Sequence, residues 1–123
     1  MSMSKGKLED LVPPLGLCKL IPAGAFQDSA LMWNEDESFP DAPAILSTRD
    51  NMIFTEGWRN TPAPTLAEIL EADHRMTITR SHTGITWAAE VWDGSRWYAR
   101  NDINSATAAL KLWFLINGVE VEK

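Results

Sequence analysis

Between Ala106 and Ile116 the chain carries a single charge, Lys111. Leu110, Trp113, Phe114 and Asn117 lie on one helical stripe, and Leu112, Leu115 and Ile116 carry apolar character almost round the axis. A helix apolar on nearly all sides has to be covered on nearly all sides. One sheet covers only part of it. The remaining cover must come from the N-terminal half of the chain or from a second copy, so Leu112, Leu115 and Ile116 are candidate self-association residues. Asn104 or Ser105 is placed to cap the helix start, and Gly118 to close its end in the left-handed conformation.

The segment before the helix, Met76 to Arg100, reads as three strands. Met76, Ile78 and Arg80 alternate with Thr77 and Thr79, the period of a half-buried strand. If Ser81-His82-Thr83-Gly84 is a four-residue loop, Arg80 faces Ile85 and Ile78 faces Trp87. Met76, Ile78, Ile85, Trp87, Ala89 and Val91 then share an apolar face. The next hairpin has two mutually exclusive readings, because a one-residue slip turns every side chain over. A two-residue Asp93-Gly94 loop pairs Glu90 with Trp97 on one face. A three-residue Trp92-Asp93-Gly94 loop ending in a Gly bulge pairs Glu90 with Arg96 and Ala89 with Trp97. The second gives Glu90 an opposite charge and keeps Trp97 and Ala99 in the core, so it is preferred; it leaves Trp92 at an exposed turn.

Upstream, Pro13-Pro14 opens a short helix from about Leu15 to Ile21, stopped by Pro22. Pro22-Ala23-Gly24 makes a turn with Phe26 packed beneath. Ser29 to Asn34 is expected to be a strand, and Glu35 to Asp41 an acidic loop. Ala44–Thr48 and Met52–Thr55 are expected strands joined by a tight turn at Arg49-Asp50-Asn51. Thr61-Pro62-Ala63-Pro64 reads as a linker. Thr65 and Glu68 then form a capping box for a helix from Leu66 to about Ala72, with Leu66, Ile69 and Leu70 inward. The element order predicts an α+β fold: antiparallel sheet as two three-stranded meanders, packed with about three helices. Residues 1–10 are expected to be a flexible start and 11–123 one domain, which suits a chain of 123 residues.

The formal charge of −6 is unevenly spread. Residues 8–73 hold 12 acids against Lys19, Arg49 and Arg59, a balance of −9. Residues 74–100 set Arg75, Arg80, Arg96 and Arg100 against Glu90 and Asp93, a balance of +2. Four arginines in an acidic chain are not the concentrated basic face that nucleic acid demands, so no direct nucleic-acid partner is expected. Cys18 is the one cysteine, which excludes an internal disulfide and a multi-thiolate metal site. There is no apolar leader and no run near the ~18 residues of a membrane span, so a cytoplasmic protein without membrane contact is expected.

No catalytic or metal motif stands out, and no cofactor is expected. His74 and His82 lack a ligand spacing with Cys18 or a carboxylate, and no G-x-S-x-G elbow accompanies Ser81-His82. His82 is better read as a turn residue. Glu35, Asp36, Glu37 and Asp41 lack the alternating ligands and central Gly of a calcium loop, and read as a solvated acidic face. Cys18, flanked by Leu17 and Leu20, reads as a small core residue. The surface that invites a partner is the polar sheet face, with Thr77, Thr79, Thr86, Glu90, Arg96, Tyr98 and Arg100 in the preferred register, and Trp92 at its turn. Arg and Tyr are enriched at binding hot spots. The plainer reading of that face is the wet side of an antiparallel sheet.

Val12-Pro13-Pro14-Leu15-Gly16-Leu17-Cys18-Lys19-Leu20-Ile21-Pro22-Ala23-Gly24-Ala25-Phe26 and Ala30-Leu31-Met32-Trp33 resemble the opening of a group of small uncharacterised phage and prophage proteins. Pro64-Thr65-Leu66-Ala67-Glu68-Ile69-Leu70 and Ala108-Ala109-Leu110-Lys111-Leu112-Trp113 are similar to later parts of them. These are packing and turn motifs across residues 12–118. The resemblance implies a mobile-element origin and an α+β domain, and brings no catalytic residue with it. The expected function is a non-catalytic protein–protein interaction or accessory module whose partner is another protein or itself. Alternatives are an acidic inhibitor that mimics DNA charge, resting on the −9 segment, and a small-molecule binder or enzyme with a pocket between sheet and helix.

Overall fold

The computed structural model describes residues 8–39, 41–48, 57–81 and 84–119. After a 3-10 turn at Leu8–Leu11, the elements run α1 (Leu15–Cys18), β1 (Leu31–Asp36), β2 (Ile45–Thr48), β3 (Trp58–Pro62), α2 (Leu66–Ala72), β4 (Thr77–Arg80), β5 (Trp87–Trp92), β6 (Trp97–Asp102) and α3 (Ser105–Ile116). They form two antiparallel three-stranded sheets with three helices, the α+β class expected. The second sheet is a meander, β4-β5-β6. The first has the order β2-β1-β3, so its first strand is central, its third crosses to the far edge, and it is not the second meander expected.

Helix α3 organises the packing. Asn104 caps it, its Oδ1 accepting from Thr107 N at 2.9 Å. Ala106 to Leu110 are buried without a break, and Leu112 and Phe114 are fully enclosed. One side lies on β5 and β6, where Ala89 and Val91 are also fully buried. The other sides are covered from the same chain. Helix α2 lies against α3, and the Phe26 ring meets Trp113 at 5.0 Å. Val12, Leu31 and Trp33 join the same contiguous core. Phe26 is the one non-glycine residue with positive φ, 58°, among the described residues. That conformation costs on the order of 1–2 kcal/mol, offset here by the ring's packing on Trp113.

Thr65 and Glu68 close the capping box, with Glu68 N donating to Thr65 Oγ1 at 3.3 Å and Thr65 N donating to Glu68 Oε1 at 2.9 Å. The second carboxylate oxygen accepts from Ala30 N at 2.9 Å, which ties α2 to the start of β1. Ile69 is fully buried, with Leu66 and Leu70 packed against the core. Trp33 sends its indole N–H to Pro13 O at 3.2 Å, pinning the Pro-Pro entry of α1 beneath the first sheet.

Three local expectations are corrected. Helix α1 ends at Cys18 and not near Ile21. Glu35 and Asp36 extend β1 and do not belong to the acidic loop. Thr61-Pro62, read as linker, closes strand β3, with Trp33 facing Thr61 and Met32 facing Pro62. Pro62 is tolerated because β3 is an edge strand. The expected strand Met52–Thr55, its turn at Arg49–Asn51, and His82 lie outside the described residues.

Leu112→Ala should cost about 2–5 kcal/mol, since it opens a cavity in an enclosed core. Ile85→Ser, at a side chain 65% exposed, should stay within about 0.5 kcal/mol. Urea unfolding of both variants checks the contrast.

Candidate functional site

The C-terminal hairpin is built by Asp93. Its Oδ1 accepts from Ser95 N at 2.8 Å, Ser95 Oγ at 2.9 Å and Arg96 N at 2.9 Å. Gly94 takes the positive φ, 100°, that the turn requires. The strand ladder ends at Trp92 and Trp97, so the loop is the four residues Asp93–Arg96, closed by Asp93 N donating to Arg96 O at 3.2 Å. Trp92 therefore faces Trp97, Val91 faces Tyr98, Glu90 faces Ala99 and Ala89 faces Arg100.

This register overturns the three-residue loop preferred from sequence, and the slip of three residues is odd, so β6 is turned over. Trp97 and Ala99, expected in the core, are exposed on the outer face; Trp97 is 63% exposed. Glu90 has no Arg96 opposite it. Tyr98, expected outside, packs at the core margin on the α3 side. The rejected two-residue loop had the facing right and the length wrong. In the first hairpin the register also differs, with Ile78 facing Ala89 and Arg80 facing Trp87. That shift is even, so Met76, Ala89 and Val91 stay inward as expected, while Ile85 falls beyond the strand and is exposed.

The outer face thus carries Thr77 and Thr79 from β4, Glu90 and Trp92 from β5, and Trp97, Ala99 and Asn101 from β6. Rung 93/96 is hydrogen-bonded, so 92/97 is an unbonded rung, where side chains approach most closely. The two indoles meet at 5.5 Å between centroids, inclined by 51°. Trp92 is 46% exposed, as its expected turn position implied, although it ends β5. Arg96 stacks on the Tyr98 ring at 4.9 Å and donates from Nε to its hydroxyl at 2.9 Å. Arg100 donates from Nη1 to Ala99 O at 2.8 Å. Arg96, Tyr98 and Arg100 therefore line the helix side of β6, while Thr77, Thr79 and Trp92 stay on the outer face. The structure divides the expected binding face between two sides, and brings Trp97, Ala99 and Asn101 onto the outer one. Leu112 is enclosed in the core and Leu115 and Ile116 are half-buried against it, so α3 offers no open apolar side.

Elsewhere several charged groups are paired within the chain. Glu35 pairs with Lys19 at 2.9 Å, Glu37 with Arg59 at 3.2 Å, Asp73 with Arg75 at 2.9 Å and Asp102 with Lys111 at 3.0 Å. Burial pushes the Cys18 thiol up to about 12, which disfavours the reactive thiolate. Among the described residues no group of three or more His, Cys, Asp or Glu is placed to hold a metal ion, and no helix is long and apolar enough to cross a membrane. Among the described residues, open grooves of about 450, 460 and 440 Å³ are lined by neither His74, Arg96 nor Tyr98.

Fold and site together define an α+β protein whose second sheet is packed on one side and presents tryptophan on the other. No known family model matches the chain, and comparisons with curated proteins and with solved structures find no significant match.

The N–H donors of Arg96 and Ser95 hold the Asp93 carboxyl well below the usual carboxylate range. A depressed folded-state value contributes stability above the unfolded carboxyl's value, near ~3.9, and loses it as pH falls below that. Between about pH 6 and about pH 3 the wild type should therefore lose more stability than Asp93→Asn, measured by urea midpoints at both pH values.

Proposed function

We propose that the chain is a non-catalytic protein–protein interaction module, an accessory protein of a phage or prophage, whose partner docks on the outer face of the β4-β5-β6 sheet. The observation that carries this reading is the exposed Trp92/Trp97 pair. Tryptophan is the residue type most enriched at binding hot spots, and large exposed apolar side chains held in fixed geometry lose little entropy on docking. Thr77, Thr79, Glu90 and Asn101 supply the polar rim that such interfaces carry. The mobile-element setting rests on the resemblance of the 12–26, 30–33, 64–70 and 108–113 segments to small phage proteins.

The acidic stretch lends less support to a DNA-mimicking inhibitor. Glu35, Glu37 and Asp73 are each neutralised by an ion pair, and the Glu68 carboxylate is spent on the Thr65 and Ala30 amides.

Trp92→Ser tests the reading, since Trp92 lies on the central strand and its backbone borders no open edge. Affinity capture from host lysate with the wild type, Trp92→Ser and a distant control, Ile45→Ser, should give a partner retained by wild type and control. Trp92→Ser should weaken that partner by about 30-fold or more, as a hot-spot loss of ~2 kcal/mol implies. Equal retention by all three would remove the outer face from the account.

A further inference from the structure

Strand β6 is an edge, and its free side has a pattern of its own. The bonded rungs to β5 are 91/98, 89/100 and 87/102, so the backbone groups of Trp97, Ala99 and Asn101 point away from β5. Their three amides have no backbone partner among the described residues. An open run of this kind templates another strand unless something blocks it.

We propose that the protein forms a symmetric dimer by antiparallel pairing of β6 with β6 of a second copy, centred on Ala99. Registers on this edge are limited, because outward-pointing residues must face outward-pointing residues. Centring the axis on Tyr98 sets Arg96 opposite Arg100 of the second copy, and centring it on Arg100 sets two Arg100 side chains against each other. Both place like charges directly opposite, which destabilises a strand pair. Centring it on Ala99 removes both conflicts. Arg96 then faces Asp102 of the second copy, and Tyr98 faces Arg100 of the second copy, each twice by symmetry. These are unbonded rungs of the new pair, where side chains come closest. Within one chain Arg96, in the loop just before β6, already stacks on Tyr98, so the cation–aromatic chemistry of the second contact has a precedent beside the same strand. Trp97 faces Asn101 of the second copy, which covers an indole left 63% exposed in the single chain. Arg100 holds the Ala99 carbonyl in the single chain and releases it to the incoming strand on pairing. The two sheets become one of six strands, with both tryptophan pairs on the same side. The dimer does not depend on the partner reading: Trp92→Ser removes partner capture and leaves dimerisation unchanged.

Sedimentation at rising concentration to about 100 µM should show a monomer–dimer equilibrium. Ala99→Pro deletes only an outward amide, which an edge position tolerates, and should weaken the dimer at least about tenfold while circular dichroism stays unchanged. Ala99→Cys should form an interchain disulfide on mild oxidation, because the two Cα atoms at the axis lie about 5.5 Å apart, within disulfide reach. Thr79→Cys, on the opposite edge strand, should not. A monomer at all concentrations, a dimer indifferent to Ala99→Pro, or equal cross-linking through Thr79→Cys would each overturn the proposal. So would dimerisation by Arg100→Ala alone, which would make Arg100 a guard of this edge.

Discussion

The structure depends on hiding one helix. Helix α3 has a polar capping residue at its start and a single charge along its length, Lys111, which is paired with Asp102. Ala106 to Leu110 have no wet side at all. Such a helix is stable only if several elements reach it, and the chain supplies them from both directions in sequence. β5 and β6 lie beneath it, α2 beside it, and Phe26 reaches Trp113 through a backbone conformation few phenylalanines adopt. Trp33 and Val12 complete the enclosure, so the N-terminal half is part of the same core.

A second, smaller device decides what the surface offers. The Asp93 carboxylate gathers three donors from the two residues that follow Gly94, and this sets the loop at four residues. Everything on β6 follows from that length. Trp97 turns out beside Trp92, Tyr98 turns in beneath Arg96, and the amides of Trp97, Ala99 and Asn101 face the open edge. One carboxylate therefore separates a tryptophan-bearing outer face from an arginine-lined helix side on the same strand.

Much of the fold was legible in the sequence where the signal was local and redundant. The Thr65–Glu68 capping box places α2 within a residue, and the continuous apolar run of α3 implies burial on several sides. The inward set Met76, Ile78, Ala89 and Val91 survived an error in register because that error was even. The candidate site was less legible because it turned on an odd one. Opposite charge favours Glu90 beside Arg96, but an exposed ion pair is worth little against three hydrogen bonds to one carboxylate. Asp93-Gly94-Ser95 carried the signal for a longer turn, and a tryptophan on each side of it was the sign of a cross-strand pair. Strand β3 was hidden because Thr-Pro-Ala-Pro resembles a linker, while an edge strand can end on proline without losing a ladder bond.

The claim that one core serves both halves of the chain is tested most directly by native-state hydrogen exchange. If α3 is shared, the amides of Leu110 to Phe114, of Trp33 on β1 and of Ala89 on β5 should exchange only through global unfolding, with one common free energy and one common dependence on denaturant. Exchange of Trp33 with a much smaller free energy, while α3 and β5 remain protected, would contradict it and show the N-terminal half opening separately.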